Sequence, residues 1–239
     1  ILLLANIHPA VTGFCPGKSV SDNARVHLGR KNVLKVDLHD FFPSIRSPRV
    51  RAAFREMGYS RPIAKVLAEL CCLRCCLPQG APTSPALSNI IAYPMDKKMM
   101  ALAGEYGLVY TRYADDLTFS GDYLPKDEVL VRIHRIIREE GFTMNVKKTR
   151  FLSEHKRKII TGVSVSSGKK MTLPKVKKRE IRKNVHYVLT KGLVGHQEHI
   201  GSTDPVYLKR LLGSLCYWRS IEPDNRYVSD SITALKRLM

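Results

Sequence analysis

The most constraining feature of this sequence is a pair of adjacent acids between two strand-like runs. Residues 108–113 and 117–120 are rich in β-branched and aromatic side chains, and only Ala114-Asp115-Asp116 connects them. So short a connection predicts an antiparallel hairpin with both carboxylates at its tip. A third acid, Asp37, lies near the end of another strand-like run, residues 33–38. Taken singly, Asp37 is an ordinary strand-end cap and the other two acids form an ordinary polar turn.

Taken together, the three acids suggest a metal site. Carboxylates held within a few ångströms of each other repel, and one of them would normally take up a proton. Mg²⁺ removes this repulsion, prefers oxygen ligands and keeps positions for water and substrate phosphates. Two such ions roughly 3.5–4 Å apart can activate an attacking hydroxyl and stabilise a leaving pyrophosphate. We therefore expect Asp37, Asp115 and Asp116 to bind two Mg²⁺ ions.

The net charge indicates the partner. The 239 residues contain 40 Lys and Arg against 21 Asp and Glu, a net charge of +19, and residues 147–183 alone carry +12 (14 basic residues and two acids). Such a charge favours a polyanion, and phosphate contact needs charge but no particular sequence. After Pro174 the pattern predicts an amphipathic helix. Its apolar face contains Ile181, Val185, Val188 and Leu189, and another face contains Lys175, Lys178, Arg179 and Arg182. The alternative is a solvated surface helix.

The remaining pattern predicts alternating helices and short strands. We expect helices over residues 47–57, 62–76, 85–103 with Ser84 as N-cap, and from 127 to Gly141, then short strands at 147–152 and 158–165. The rest is predicted to be helical with a break at 192–204. A change in composition near Gly168 is the best candidate for a domain boundary, which divides the chain into residues 1–168 and 169–239.

Composition excludes several classes of protein. A hydrophobic content of 44% and a mean hydropathy of −0.17 are typical of a folded chain. No run reaches 18 apolar residues, and residues 1–4 lack the basic region of a signal peptide. Four of six cysteines lie within residues 71–76, which is no disulfide framework, so we expect a reducing cytoplasm and thiols buried on a helix rather than zinc. Because the sequence opens without Met inside an apolar run, we interpret it as beginning partway through a larger polypeptide.

Several segments match motifs of one enzyme family in that family's order. Residues 36–45 (VDLHDFFPSI) match its first acid motif, residues 77–85 with Ser88-Asn89 match its substrate-binding motif, and residues 113–116 are a YADD hairpin. Residues 141–145, followed by Lys147-Lys148-Thr149, match the next motif. Residues 23–27 match an NAxxH signature, and residues 160–162 stand where the family has VTG. The chain thus resembles reverse transcriptases, specifically the bacterial retron type.

The resemblance implies an α+β fold and a set of site residues. The fold would be a right-hand polymerase palm, an antiparallel sheet with packed helices, with partial fingers and a helical, basic thumb. Asp37, Asp115 and Asp116 would be catalytic, and Phe42 would exclude a ribose 2′-OH, which favours dNTPs. The nucleotide pocket would include Gln79 and Gly80, with Lys147 or Lys148 near the triphosphate; the sequence leaves both lysines open. Residues 161–165 would form a primer grip. The nucleic-acid contacts would be Asn23, His27, Lys175, Lys178, Arg179 and Arg182, although His27 could instead have a structural role.

The resemblance also implies a function and partners. The enzyme would copy a structured noncoding RNA into single-stranded DNA joined to that RNA, in anti-phage defence beside an effector protein in the bacterial cytoplasm. One alternative is a group II intron-like or diversity-generating reverse transcriptase; Phe42 and Ala114 disfavour an RNA-dependent RNA polymerase. An alternative of another class is a nucleic-acid scaffold that restrains a toxin effector. Only about 36 residues precede Asp37, so we expect much of the fingers to be absent.

Overall fold

The computed structural model of the chain describes residues 7–238, and the opening run 1–4 lies outside them. Its strands are β1 (Asn32–Asp37), β2 (Val109–Tyr113), β3 (Asp116–Gly121), β4 (Arg150–Leu152), β5 (Ile159–Ile160) and β6 (Val163–Ser164). The first four form an antiparallel sheet in the order β2-β3-β1-β4, and β5 pairs with β6. The predicted hairpin is therefore confirmed as β2 and β3.

Ten helices lie among the described residues. They are α1 (Val20–Arg25), α2 (Phe41–Ser44), α3 (Ser47–Glu56), α4 (Arg61–Cys71), α5 (Ser84–Ile91), α6 (Tyr93–Glu105), α7 (Lys126–Glu139), α8 (Lys175–His199), α9 (Tyr207–Ile221) and α10 (Arg226–Lys236). Within residues 7–238, no helix combines the length and apolar character needed to cross a membrane.

Side-chain alternation gives the four-stranded sheet two different faces. On one face, opposed pairs such as Leu34 with Phe119 and Val36 with Leu117 are completely or almost completely buried. They join a hydrophobic cluster that also contains side chains of α3 to α7. The opposite face carries the polar pairs Lys35 with Thr118 and Asp37 with Asp116. The predicted α+β architecture, an antiparallel sheet with packed helices, is therefore confirmed.

A second hydrophobic cluster unites the C-terminal helices. It contains side chains of α8, α9 and α10 around Trp218, which is completely buried. Trp218 thus belongs to the core of this cluster. Ala24, Val33 and the β5–β6 residues Ile160 and Val163 belong to the same cluster. The cluster therefore begins before Gly168, and the division at residue 168 stays a prediction.

Three helix predictions are wrong in detail. The helix expected over 85–103 is two helices separated at Ala92, and Thr83, not Ser84, occupies the N-cap position. The helix expected over 62–76 ends at Cys71. Beyond it Leu73 and Cys76 bridge each other, so the thiols do not stack on one helix, and Cys75 is exposed. On α8, Leu189 is 46% exposed although it was assigned to the apolar face.

Candidate active site

Two strands and one turn bring the three predicted acids together. Asp37 ends β1 and lies directly opposite Asp116, the first residue of β3. Because opposed residues of an antiparallel pair project to the same side, both side chains lie on the polar face of the sheet. Asp115 precedes Asp116 in the turn, and its carbonyl accepts a 3.0 Å hydrogen bond from the Leu38 N–H. The chain before it passes through Ala114 in a left-handed conformation with φ of 55°.

The three carboxylates experience each other's charge. Burial raises the pKa of Asp115, and the charges of Asp116 and Asp37 raise it further. Burial also raises the pKa of Asp116, where Asp37 adds to the effect and Lys35 opposes it. Neighbouring anions thus disfavour the ionised form of both hairpin acids. A cation bound here would reverse that effect.

Asp37 is only 7% exposed, and its two oxygens differ. Oδ1 is buried without a hydrogen-bond partner, whereas Oδ2 accepts a 3.2 Å hydrogen bond from the Lys148 ammonium. Within residues 7–238, no three His, Cys, Asp or Glu side chains are already grouped as a metal site. The donor set nevertheless fits Mg²⁺, because these oxygens are hard ligands and Oδ1 has no other partner.

Lys148 is the lysine that faces the acids. Its contact with Asp37 raises the pKa of the Lys148 ammonium. Lys147 is exposed and makes no ion pair with any described acid. The backbone supports the arrangement, since the Asn145 N–H donates to the Asp37 carbonyl at 2.8 Å. The structure thus distinguishes two lysines that the sequence left equivalent.

Aromatic rings lie beside the hairpin tip. Phe42, on α2, is half-buried, and its ring centroid is 6.1 Å from that of Phe14, which lies 6.2 Å from Tyr113. A Cβ on Gly13 would approach the Ala114 nitrogen to 2.6 Å, so only glycine allows this close contact. Sequence reasoning missed Gly13 and Phe14, and no motif marks them.

The predicted nucleotide-pocket residues lie in the turn before α5. Gln79 and Gly80 are both exposed, and Gly80 has a φ of 93°, a conformation that favours glycine. The Ser84 hydroxyl donates to the Pro78 carbonyl at 2.7 Å and fixes the end of this turn. Among the described contacts, neither Gln79 nor Gly80 hydrogen-bonds to Asp37, Asp115 or Asp116.

Comparison with known proteins identifies the family. The family model described as "Reverse transcriptase (RNA-dependent DNA polymerase)" matches residues 2–187. This chain belongs to the reverse transcriptase family. The sheet whose polar face carries Asp37 and Asp116, with Asp115 in the adjoining turn, is accordingly the polymerase palm that the motifs predicted.

Curated relatives refine the assignment. Retron Ec86 reverse transcriptase of Escherichia coli is 39% identical over 194 residues, 80% of this chain and 60% of the relative. Retron Mx65 reverse transcriptase of Myxococcus xanthus is 36% identical over 238 residues, 91% of this chain and 53% of the relative. Retron Mx162 reverse transcriptase of the same organism is 33% identical over 213 residues, 75% of this chain and 44% of the relative. The resemblance to retron-type reverse transcriptases is confirmed, and the chain spans about half the length of these relatives.

Two residues predicted to contact nucleic acid do not reach the surface of this reverse transcriptase. Asn23 and His27 are both completely buried. Asn23 accepts a 2.8 Å hydrogen bond from the Thr12 hydroxyl, and His27 bonds to Ser120 at 2.7 Å and to Thr111 at 2.8 Å. Burial lowers the pKa of His27 to about 3, so the ring is neutral. The structure thus leaves neither side chain accessible to nucleic acid and favours a structural role for both: Asn23 joins α1 to Thr12, and His27, just beyond α1, joins that segment to β2 and β3.

The four α8 cations predicted to contact nucleic acid are not equivalent. Lys175 and Arg179 are exposed and form no ion pair with a described acid. Lys178 instead pairs with Glu222 at 2.6 Å and lies 5.6 Å from the Trp218 ring centroid. Arg182 lies over the same ring at 5.4 Å. Lys178 and Arg182 therefore both pack against Trp218, but Arg182 is exposed as well, so three of the four predicted phosphate ligands remain available to solvent.

Proposed function

We propose that this chain is the catalytic part of a retron-type RNA-directed DNA polymerase. The observation that carries the proposal is the placement of Asp37 opposite Asp116 on the polar face of the palm sheet, with Asp115 in the adjoining turn. The family match over residues 2–187 supports the same reaction class. The reaction is attack by a primer hydroxyl on the α-phosphate of an incoming dNTP, with loss of pyrophosphate.

Asp37, Asp115 and Asp116 would hold two Mg²⁺ ions. When bound, such ions supply activation of the attacking hydroxyl and neutralise charge on the leaving pyrophosphate. The buried Asp37 Oδ1 and the raised pKa values of the two hairpin acids support this assignment. Lys148 holds Oδ2 of Asp37 and contributes positive charge beside the triphosphate.

Residues around the metal-binding acids would select the nucleotide. The Phe42 ring, supported by Phe41 at a centroid distance of 5.5 Å, would occupy the space that a ribose 2′-OH requires. Gln79 and Gly80 would line the base and sugar side of the pocket, and their exposure leaves them free to contact a ligand. Lys147 is left as a secondary phosphate contact.

The template would be a structured noncoding RNA, and the product single-stranded DNA joined to it. In retron systems the first primer would be a guanosine 2′-OH. Exposed Lys175 and Arg179 on α8 would contact the phosphate backbone of the template–primer duplex. We further propose a role in anti-phage defence beside an effector protein. All six cysteines are free thiols, which suits a reducing bacterial cytoplasm.

Primer extension tests the proposal. Wild-type protein with a primed RNA template, Mg²⁺ and labelled dNTPs should incorporate label, and Asp115→Asn should abolish incorporation because it removes a metal ligand. Asp127→Asn, which neutralises an exposed acid on α7, is the matched control and should retain activity. Equal incorporation by Asp115→Asn and wild type would refute the proposed site.

A further inference from the structure

Arg112 is a completely buried cation with four hydrogen bonds. Its Nε and Nη2 donate to the two carboxylate oxygens of Asp96, at 2.8 Å and 2.7 Å. Its Nη1 donates to the Asn89 side-chain oxygen and to the Ala114 carbonyl, both at 3.1 Å. The Arg112 and Asp96 side chains are both 0% exposed. A single planar guanidinium thus contacts three separate parts of the palm.

Two of the three partners of Arg112, Ala114 and Asn89, connect to the site. Ala114 immediately precedes Asp115 and is the left-handed residue of the hairpin turn. Asn89 lies on α5, the helix that follows the nucleotide-pocket turn, and its amide donates to the Gly13 carbonyl at 2.9 Å. Gly13 is also the residue that packs against the Ala114 nitrogen. The contacts of Arg112 therefore surround the turn that carries the hairpin acids.

Stability alone gives a weak reason for this buried ion pair. Burial opposes the charge of Arg112, although Asp96 outweighs that effect and raises the Arg112 pKa. Well-packed apolar side chains of similar volume often replace a buried ion pair without loss of stability. No apolar side chain could donate to the Ala114 carbonyl. That carbonyl belongs to the peptide group that joins Ala114 to Asp115, so its hydrogen bond sets the plane from which Asp115 projects.

We propose that Arg112 is a positioning residue that holds the Ala114–Asp115 peptide in place against α5, and so keeps the hairpin acids aligned with the nucleotide pocket. The inference rests on the proposed polymerase function. It assigns Arg112 no contact with substrate. The Arg112 side chain thereby fixes the β2–β3 turn relative to α5, the helix that follows the predicted nucleotide-pocket turn.

The decisive variant removes the hydrogen bond but keeps the core filled. Asp96→Leu and Arg112→Met replace the ion pair by apolar side chains, and Tyr110→Phe removes the hydroxyl that otherwise donates to Asp96 at 2.8 Å. We expect this triple variant to retain a melting temperature close to that of wild type. Its kcat for primer extension should fall at least about tenfold, about 1.4 kcal/mol of barrier, while the KM for dNTP changes less than about twofold. Tyr110→Phe alone is the control and should keep the wild-type kcat.

Hydrogen exchange supplies a readout that does not depend on activity. In the triple variant, amides of residues 109–121 should exchange faster than in wild type at equal thermal stability, because the turn has lost its anchor. A folded triple variant with wild-type kcat and wild-type exchange would overturn the proposal and leave Arg112 a purely structural residue. A loss confined to KM would also overturn it.

A second variant decides the matter if the triple variant does not fold. Arg112→Lys keeps a positive charge for Asp96, but an ammonium lacks the planar fork that spans Asp96, Asn89 and Ala114. We expect the same loss of kcat and faster exchange in residues 109–121; wild-type values of both would overturn the proposal. If wild-type protein extends no primer, the polymerase proposal fails, whereas the exchange comparison still tests whether Arg112 holds the turn.

Discussion

At the residue scale, the hairpin acids that we propose as metal ligands destabilise the fold when no metal is bound. Asp116 is partly buried beside Asp37, and its pKa is raised by burial and by that neighbouring charge. The folded state therefore disfavours the ionised carboxylate. In metal-free buffer at neutral pH, Asp116→Asn should therefore raise the melting temperature while removing activity. Thermal unfolding in EDTA measures the difference.

The pH dependence of this effect has a definite sign. Because the Asp116 pKa is higher in the folded than in the unfolded chain, lowering the pH protonates the folded carboxyl first. The wild type then no longer bears the free-energy cost of the buried charge. The difference in melting temperature between wild type and Asp116→Asn should therefore shrink as the pH falls through the folded pKa. Asp224→Asn, at an exposed acid, should show no such difference. A variant less stable than wild type at neutral pH would contradict this account.

The site could be predicted from sequence where its signals are local. Asp37, Asp115 and Asp116 stand at the end of a strand and in a short turn, and period-2 alternation then places Asp37 and Asp116 on one face. Arg112 gave no such signal, because its partner Asp96 lies on a different element and the pairing depends on packing. The same holds for His27, whose partners Thr111 and Ser120 are more than 80 residues away in sequence.

At the element scale, breaks between helices were the hardest feature to predict. The division of 85–103 at Ala92 lacks a glycine, although Pro94 near the start of α6 was an available signal for a new helix. The turn after α4 uses left-handed Arg74 and Cys75, residue types that rarely adopt this conformation. The predicted break at 192–204 is partly confirmed, because α8 is kinked at Gly192.

The α8 kink allows a paired glycine experiment. Gly192 has φ of 74° and ψ of 167°, a region almost restricted to glycine, and beyond it the His196 ring bonds to the Tyr207 hydroxyl at 2.8 Å. Gly192→Ala should therefore destabilise the fold by about 1–3 kcal/mol. Gly213, within α9, faces open space, and Gly213→Ala should stabilise by about 0.5–1 kcal/mol. Urea unfolding would measure the change in the free energy of unfolding for both substitutions. If both stabilised the fold, or both destabilised it, the kink at Gly192 would be contradicted.

At the scale of the whole molecule, negative and positive charge have separate places. The hairpin acids and Asp37 lie together at one end of the central strands of the palm sheet, while residues 147–183 hold +12 of the net +19. Lys148 belongs to both regions, since it lies within the basic stretch and contacts Asp37. The basic stretch thus begins beside the acids and continues into α8, where Lys178 and Arg182 pack against Trp218 while Lys175 and Arg179 are exposed and have no described ion pair.

Lys175 and Arg179, which are exposed and have no described ion pair, are the α8 cations that we expect a duplex to contact. Neutralising exposed Lys175 and Arg179 to Gln should weaken template–primer binding and lower the slope of log affinity against log salt by about 1.5, because each phosphate contact contributes roughly 0.7–0.9. Melting temperature should not change, since neither side chain has a described ion pair.

Arg135→Gln with Arg138→Gln on α7 removes the same charge from an exposed helix face and should leave the slope nearly unchanged. Lys178→Gln should instead lower the melting temperature, because it removes the partner of half-buried Glu222. An equal fall in slope for the α7 pair would show that net charge, rather than contact along α8, sets the affinity.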